Sequence, residues 1–166
     1  MIPTSWDGDA FVPLRGFRLR CDREFVVGQH YVLEAIEERS AASHRHYFAA
    51  INEAWKNLPE RVADRYSSPE HLRKAALIHE GYRDERSIVC ASKAEAQRVA
   101  AFIRPMDSYA VVVVREAVVI VYTAQSQSMR AMGKAAFAKS KDAVLDYVAG
   151  LIGTPREALN QAGEAA

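Results

Sequence analysis

The sequence predicts an α+β fold, a single domain in which a small, mostly antiparallel sheet packs with about four helices. Three observations carry this expectation. The run "YAVVVVREAVVIVYTA", residues 109–124, is β-branched almost throughout, which favours strand over helix. Segments at 40–58, 68–81, 92–104 and 134–152 place apolar residues three and four apart between capping residues, the signature of amphipathic helices. The 166 residues are enough for one domain with a real core, and they contain no internal repeat, low-complexity tract or linker.

Taken in chain order, residues 1–10 read as a flexible tail and 11–166 as the domain. Two strands are expected in 11–38. The first is "FVPLRGFRL", weakened by Pro13 and Gly16. The second is "EFVVGQHYVLEAIEE", with partial alternation and a helical end left open. A helix starts at Ser40 as N-cap and runs to about Leu58, with Pro59 stopping it. Its expected core face is His44, Phe48, Ile51, Trp55 and Leu58. The next helix has Ser68 as cap, Pro69 at the first helical position, Glu70 in the first turn and Gly81 at the end. "SIVCA", residues 87–91, reads as a short strand. Ser92 with Glu95 forms a capping box for the helix that precedes Pro105. The Val-rich run folds as a tight hairpin at Arg115–Glu116, although it lacks the Asn-Gly or Asp-Gly chemistry that such turns prefer. Residues 125–133 form a polar joint, followed by a long helix from Lys134 and a short tail helix after "TPRE".

Composition excludes several classes. Hydrophobic residues make up 49% and charged residues 26%, ordinary for a globular protein, and the generous apolar share favours a homodimer. The net charge of +1 gives no whole-protein footprint for nucleic acid, so any polyanion site must come from local segregation of charge. Cys21 and Cys90 stand far apart and outside any metal spacing, which suits thiols in a reducing cytoplasm. The N-terminus has neither a basic n-region nor an apolar h-region, and Arg115 and Glu116 interrupt the longest apolar run, so neither a secretory signal nor a membrane span is expected.

Catalytic and metal motifs are weak. His44 and His46 are two apart, and on a helix they point about 200° from one another; the zinc-helix partner position is Phe48. His71 and His79 read as surface residues. There is no G-x-S-x-G, no C-x-x-C and no Gly-rich phosphate loop, so no enzyme activity, metal or cofactor is expected. One segment stands out. From Gln125 to Lys141 the charges are Arg130, Lys134, Lys139 and Lys141, +4 with no acid before Asp142. Gln125, Ser126 and Ser128 add amide and hydroxyl donors beside them, a composition suited to phosphates as well as to a merely solvated joint. Arg39, Ser40, His44 and Arg45 give the start of the first long helix the same character. Were the two segments to meet, they would form a cationic platform with rings for stacking bases, widened by Arg73, Lys74, Arg98 and Arg104.

"ERSAASHRHYFAAI" resembles the R-S-x-x-x-(Q/H)-(R/N)-x-x-x-(A/F) helix start of small phage recombination proteins. The resemblance continues in "LRKAALIHEGY", residues 72–82, and in "TAQSQSMRAMGKAAFAKSKDAVLDYV", residues 123–148. In order and spacing these patches are similar to the Orf (NinB) recombination proteins of lambdoid phages and to a related, uncharacterised phage and prophage family. They span roughly 37–152; residues 1–30 and the Val-rich hairpin have no counterpart. The resemblance implies a dimeric, metal-free protein that binds single-stranded DNA and helps to load a recombinase, working near a single-strand-binding protein. The matching positions are Arg39, Ser40, His44, Arg45, Gln125, Ser126, Ser128, Met129 and Arg130. The alternative expectation is a protein-interaction module, such as an anti-defence inhibitor with a host nuclease complex as its protein partner.

Overall fold

A computed structural model of the chain describes residues 2–32, 41–128 and 131–164. The fold is α+β, with seven α-helices and two small antiparallel sheets among the described residues. The chain divides into two compact units, residues 1–35 and 36–166.

In the first unit, β1 (Thr4–Trp6) pairs with β2 (Phe11–Pro13), so the expected tail carries a hairpin. Asp7 closes its loop, its Oδ1 accepting the backbone N–H groups of Asp9 at 2.9 Å and Ala10 at 2.8 Å. Those bonds hold the Asp7 carboxyl below its ordinary range. The strand expected over 11–19 ends at Pro13, and α1 (Arg18–Glu24) takes over. The reason is local. Proline has no N–H with which to continue a ladder, and "RLRCDRE" is rich in straight-chain helix formers with an Arg20–Glu24 pair at 2.7 Å. The second expected strand is absent from Phe25 to Val32, because Gly28 adopts φ +85° and bends the chain into a turn in which Gln29 N–H reaches Val26 O. The rest of that segment, 33–38, lies outside the described residues, as does the proposed cap Ser40.

The second unit contains α2 (Ala41–Lys56), α3 (Glu60–Ala63), α4 (Pro69–His79), β3 (Arg83–Val89), α5 (Lys93–Ile103), β4 (Val111–Arg115), β5 (Val118–Ala124), α6 (Lys134–Ile152) and α7 (Arg156–Glu164). The caps read from sequence operate. Ser68 Oγ accepts His71 N–H at 3.1 Å, and Ser92 Oγ accepts Glu95 N–H at 3.2 Å. Gly153, at φ +68°, terminates α6 in the left-handed conformation.

The sheet order is β3-β5-β4, all antiparallel. The Val-rich hairpin therefore supplies the central strand β5 and one edge, β4. Alternation along β5 separates two faces. Val119 packs with Ala96 and Ala100 of α5, whereas Ile120 and Tyr122 pack with Ile78 of α4. β3 begins four residues before the expected strand at 87. "RDER" carries no apolar face, and the whole strand is an exposed edge, charged over its first four residues.

A larger core joins α2, α4, α6 and α7. Tyr47, Ile51, Leu72, Leu77 and Leu145 are fully buried in it, each worth about 1.5–3 kcal/mol by area removed from water. Its α2 face is Tyr47, Ala50, Ile51 and Ala54, rotated from the expected one. Phe48, read as core, is 38% exposed, and His44 is half-buried. Ile51 belongs to both faces, and Trp55 and Leu58 of the expected stripe pack against this core partly buried.

The hairpin turn is strained at Glu116, whose φ of 50° is unfavourable for a residue with a Cβ. Glu116→Gly is expected to stabilise the protein by about 1 kcal/mol, seen as a higher urea midpoint with unchanged slope.

Candidate functional site

Residues from three separated segments enclose a cavity of about 400 Å³ in the second unit. His44 and Phe48 come from the first turns of α2. Glu70, Arg73 and Lys74 come from the N-terminal half of α4. The chain leaving β5, Ala124 to Ser128, completes the wall.

The convergence begins with the sheet. Arg83 pairs with Ala124, and the ladder extends one step further where Gln125 N–H donates to Tyr82 O at 3.0 Å. This carries the 125–128 segment past α4. Gln127 then turns inward and is buried. Its Oε1 accepts the Tyr47 hydroxyl at 3.3 Å and Arg73 Nη1, and its Nε2 donates to Ser140 Oγ at 2.8 Å. One side chain thereby ties the segment to α2, α4 and α6.

Arg73 is 9% exposed and its charge is matched on the spot. Its Nε donates to Glu70 Oε2 at 2.9 Å and its Nη2 to Glu70 Oε1 at 2.7 Å. These hydrogen bonds hold the Glu70 carboxyl below its ordinary range, so it is ionised at neutral pH. The guanidinium also lies 5.4 Å from the centre of the Phe48 ring. Lys74 Nζ is shared between Glu70 Oε1, at 3.5 Å, and the face of Tyr109, at 3.9 Å. His44 stacks on Phe137 with centroids 5.5 Å apart and planes 13° from parallel. Two cations against one carboxylate leave the wall with a formal charge of +1, from Arg73 and Lys74 less Glu70.

Of the residues singled out in the sequence, His44, Gln125, Ser126 and Ser128 meet at this cavity. Arg45 and Lys134 are exposed and lie off its wall. Arg39, Ser40, Met129 and Arg130 lie outside the described residues. Arg73 and Lys74 join the wall as the widened platform required, whereas Arg98 and Arg104 are exposed elsewhere. Sequence reasoning missed Gln127 and Glu70, and misassigned Phe48 to the core. The Glu70, Arg73, Lys74 spacing of three and four was a usable signal, because it places one carboxylate beside two cations on a single helix face. Nothing in "SQS" marks the middle residue as the buried one.

Among the described residues, no group of three His, Cys, Asp or Glu side chains could hold a metal ion, and no helix is long and apolar enough to cross a membrane. Comparison with family models, curated proteins and solved structures finds no match to the chain.

Burial raises the Tyr47 hydroxyl from its ordinary 10 to about 12. An unfolded tyrosine ionises near 10, so the stabilisation is fully present below that pH and is lost as pH rises towards 12. Linkage puts the loss at about 2–3 kcal/mol. Chemical denaturation between pH 9 and 12 is expected to show this fall in the natural protein, and a correspondingly shallower one in Tyr47→Phe.

Proposed function

We propose that this protein is a non-enzymatic accessory protein that binds single-stranded DNA and works as a phage or prophage recombination mediator. The observation that carries the reading is the meeting of His44 with the 125–128 segment in one cavity, beside Lys74 and Arg73. Rings, hydroxyls, amides and a small positive excess are what a sequence-tolerant single-strand binder uses: cations for the backbone and π-faces for the bases. In this reading Arg39, Arg45, Arg130 and Lys134 grip phosphates, and Ser40, Gln125, Ser126 and Ser128 donate hydrogen bonds around them. The resemblance to the Orf (NinB) proteins supports the same reading and adds a homodimer as its working form, and the two widely separated cysteines suit the cytoplasm as its place of work.

A second reading, a protein-interaction module such as an anti-defence inhibitor of a host nuclease complex, draws on Phe102 and Met106. These lie four residues apart at and just beyond the end of α5, and each is 71% exposed.

Fluorescence anisotropy with labelled oligonucleotides at two salt concentrations separates the two. Binding is expected at low salt, weakening as salt rises. Arg45→Ala, at an exposed cation off the cavity wall, is expected to weaken it across all sequences and to flatten the log–log salt slope by about 0.7, the share of one phosphate on a single strand. No binding to DNA or RNA at low salt would remove the first reading in favour of the second.

A further inference from the structure

The cavity wall is poorly suited to phosphate. Three of the guanidinium donors of Arg73 are committed, with Nε and Nη2 on Glu70 and Nη1 on Gln127. Glu70 itself forms part of the wall, with 40% of its side chain exposed. A phosphate entering here would face an ionised carboxylate at close range, and among the described wall residues Lys74, itself shared with Glu70, is the cation placed to meet it.

The same wall suits a neutral, planar heterocycle. Glu70 Oε1 is an acceptor and Lys74 Nζ a donor, 3.5 Å apart. Neighbouring donor and acceptor atoms of that kind recur on the Watson–Crick edges of all four DNA bases, which an unpaired strand leaves open. Phe48 offers a partly exposed ring, and Ser126 and Gln125 supply further polar groups. A volume of about 400 Å³ lies in the roughly 300–1,000 Å³ range of small-ligand sites.

We propose that the cavity takes one unstacked nucleobase, its edge against the Glu70–Lys74 pair and its face against Phe48, while the backbone phosphates remain outside. This rests on the single-strand reading above and extends it to the part of the strand that enters. Stacking is sequence-tolerant and almost independent of salt, whereas phosphate contacts are neither base-dependent nor salt-independent.

The test compares a base-bearing oligonucleotide with an abasic strand of equal length, using the full chain at two salt concentrations. The abasic strand is expected to bind at least roughly 5-fold more weakly, the lower end of what one stacked base contributes. Phe48→Ala is expected to weaken the base-bearing strand by roughly 5- to 100-fold without changing its salt slope, and to leave the abasic strand unaffected. Phe48→Trp is expected to keep the affinity, and unchanged thermal midpoints show that the variants are folded. Equal binding of the two strands, or equal losses on both in Phe48→Ala, would overturn the base-pocket inference while DNA binding stood. Should no strand bind, titration with adenosine and cytidine, with inorganic phosphate as control, decides the cavity on its own. Thermal stabilisation by the nucleosides alone supports the pocket without the strand, and no stabilisation overturns it.

Discussion

A buried guanidinium governs the second unit. Removing a charge from water is costly unless it is paired and hydrogen-bonded, so Arg73 must be met by acceptors wherever the helices close over it. Glu70 meets it from one turn earlier in the same helix, and Gln127 meets it from a segment 54 residues away. The local partner forms as soon as α4 does. The distant partner forms only when β5 is docked and the chain beyond it has crossed α4. Gln127 then brings in Tyr47 and Ser140, so one polar network sets the mutual positions of α2, α4, α6 and the 125–128 segment. No buried side-chain polar atom among the described residues is left without a partner, the condition under which such a network rigidifies a core.

The cavity is a consequence of that arrangement. The network draws Gln127 inward and leaves its neighbours Gln125, Ser126 and Ser128 on the rim. It directs Tyr47 into the core and turns Phe48, the next residue, towards the opening. Glu70 and Lys74 remain at the surface because they flank a residue that is not. The mixed character of the wall, with a carboxylate between two cations and rings at the edge, follows from the demands of one buried charge.

Much of the fold was legible because its signals are local. Ser68-Pro69-Glu70, Ser92 with Glu95 and the β-branched run each act through short-range chemistry; the two caps form as read, and the run forms its hairpin with the turn one residue later, at Glu116–Ala117. Residues 11–32 were misread because Pro13 was weighed only as a weak point within a strand and Gly28 was not weighed at all, whereas Pro13 ends β2 and Gly28 bends the chain into a turn. β3 was read short because its outer half is an edge strand made of charged residues, with no periodicity to detect. The candidate site was half legible. His44 and the Ser-Gln segment announced themselves by composition, but the inward turn of Gln127 and the outward turn of Phe48 depend on contacts between residues far apart in the chain. No spacing rule reaches them.

The central claim is that the starts of α2 and α4 and the 125–128 segment act together as the surface that receives a nucleic-acid strand. Photocrosslinking an iodouracil-substituted strand to the intact protein, with the adducts located by mass spectrometry, tests it most directly. The account predicts adducts on peptides containing His44–Phe48 and Gln125–Ser128. Adducts confined to residues 1–35 or to α5, or no adduct at low salt, would contradict it.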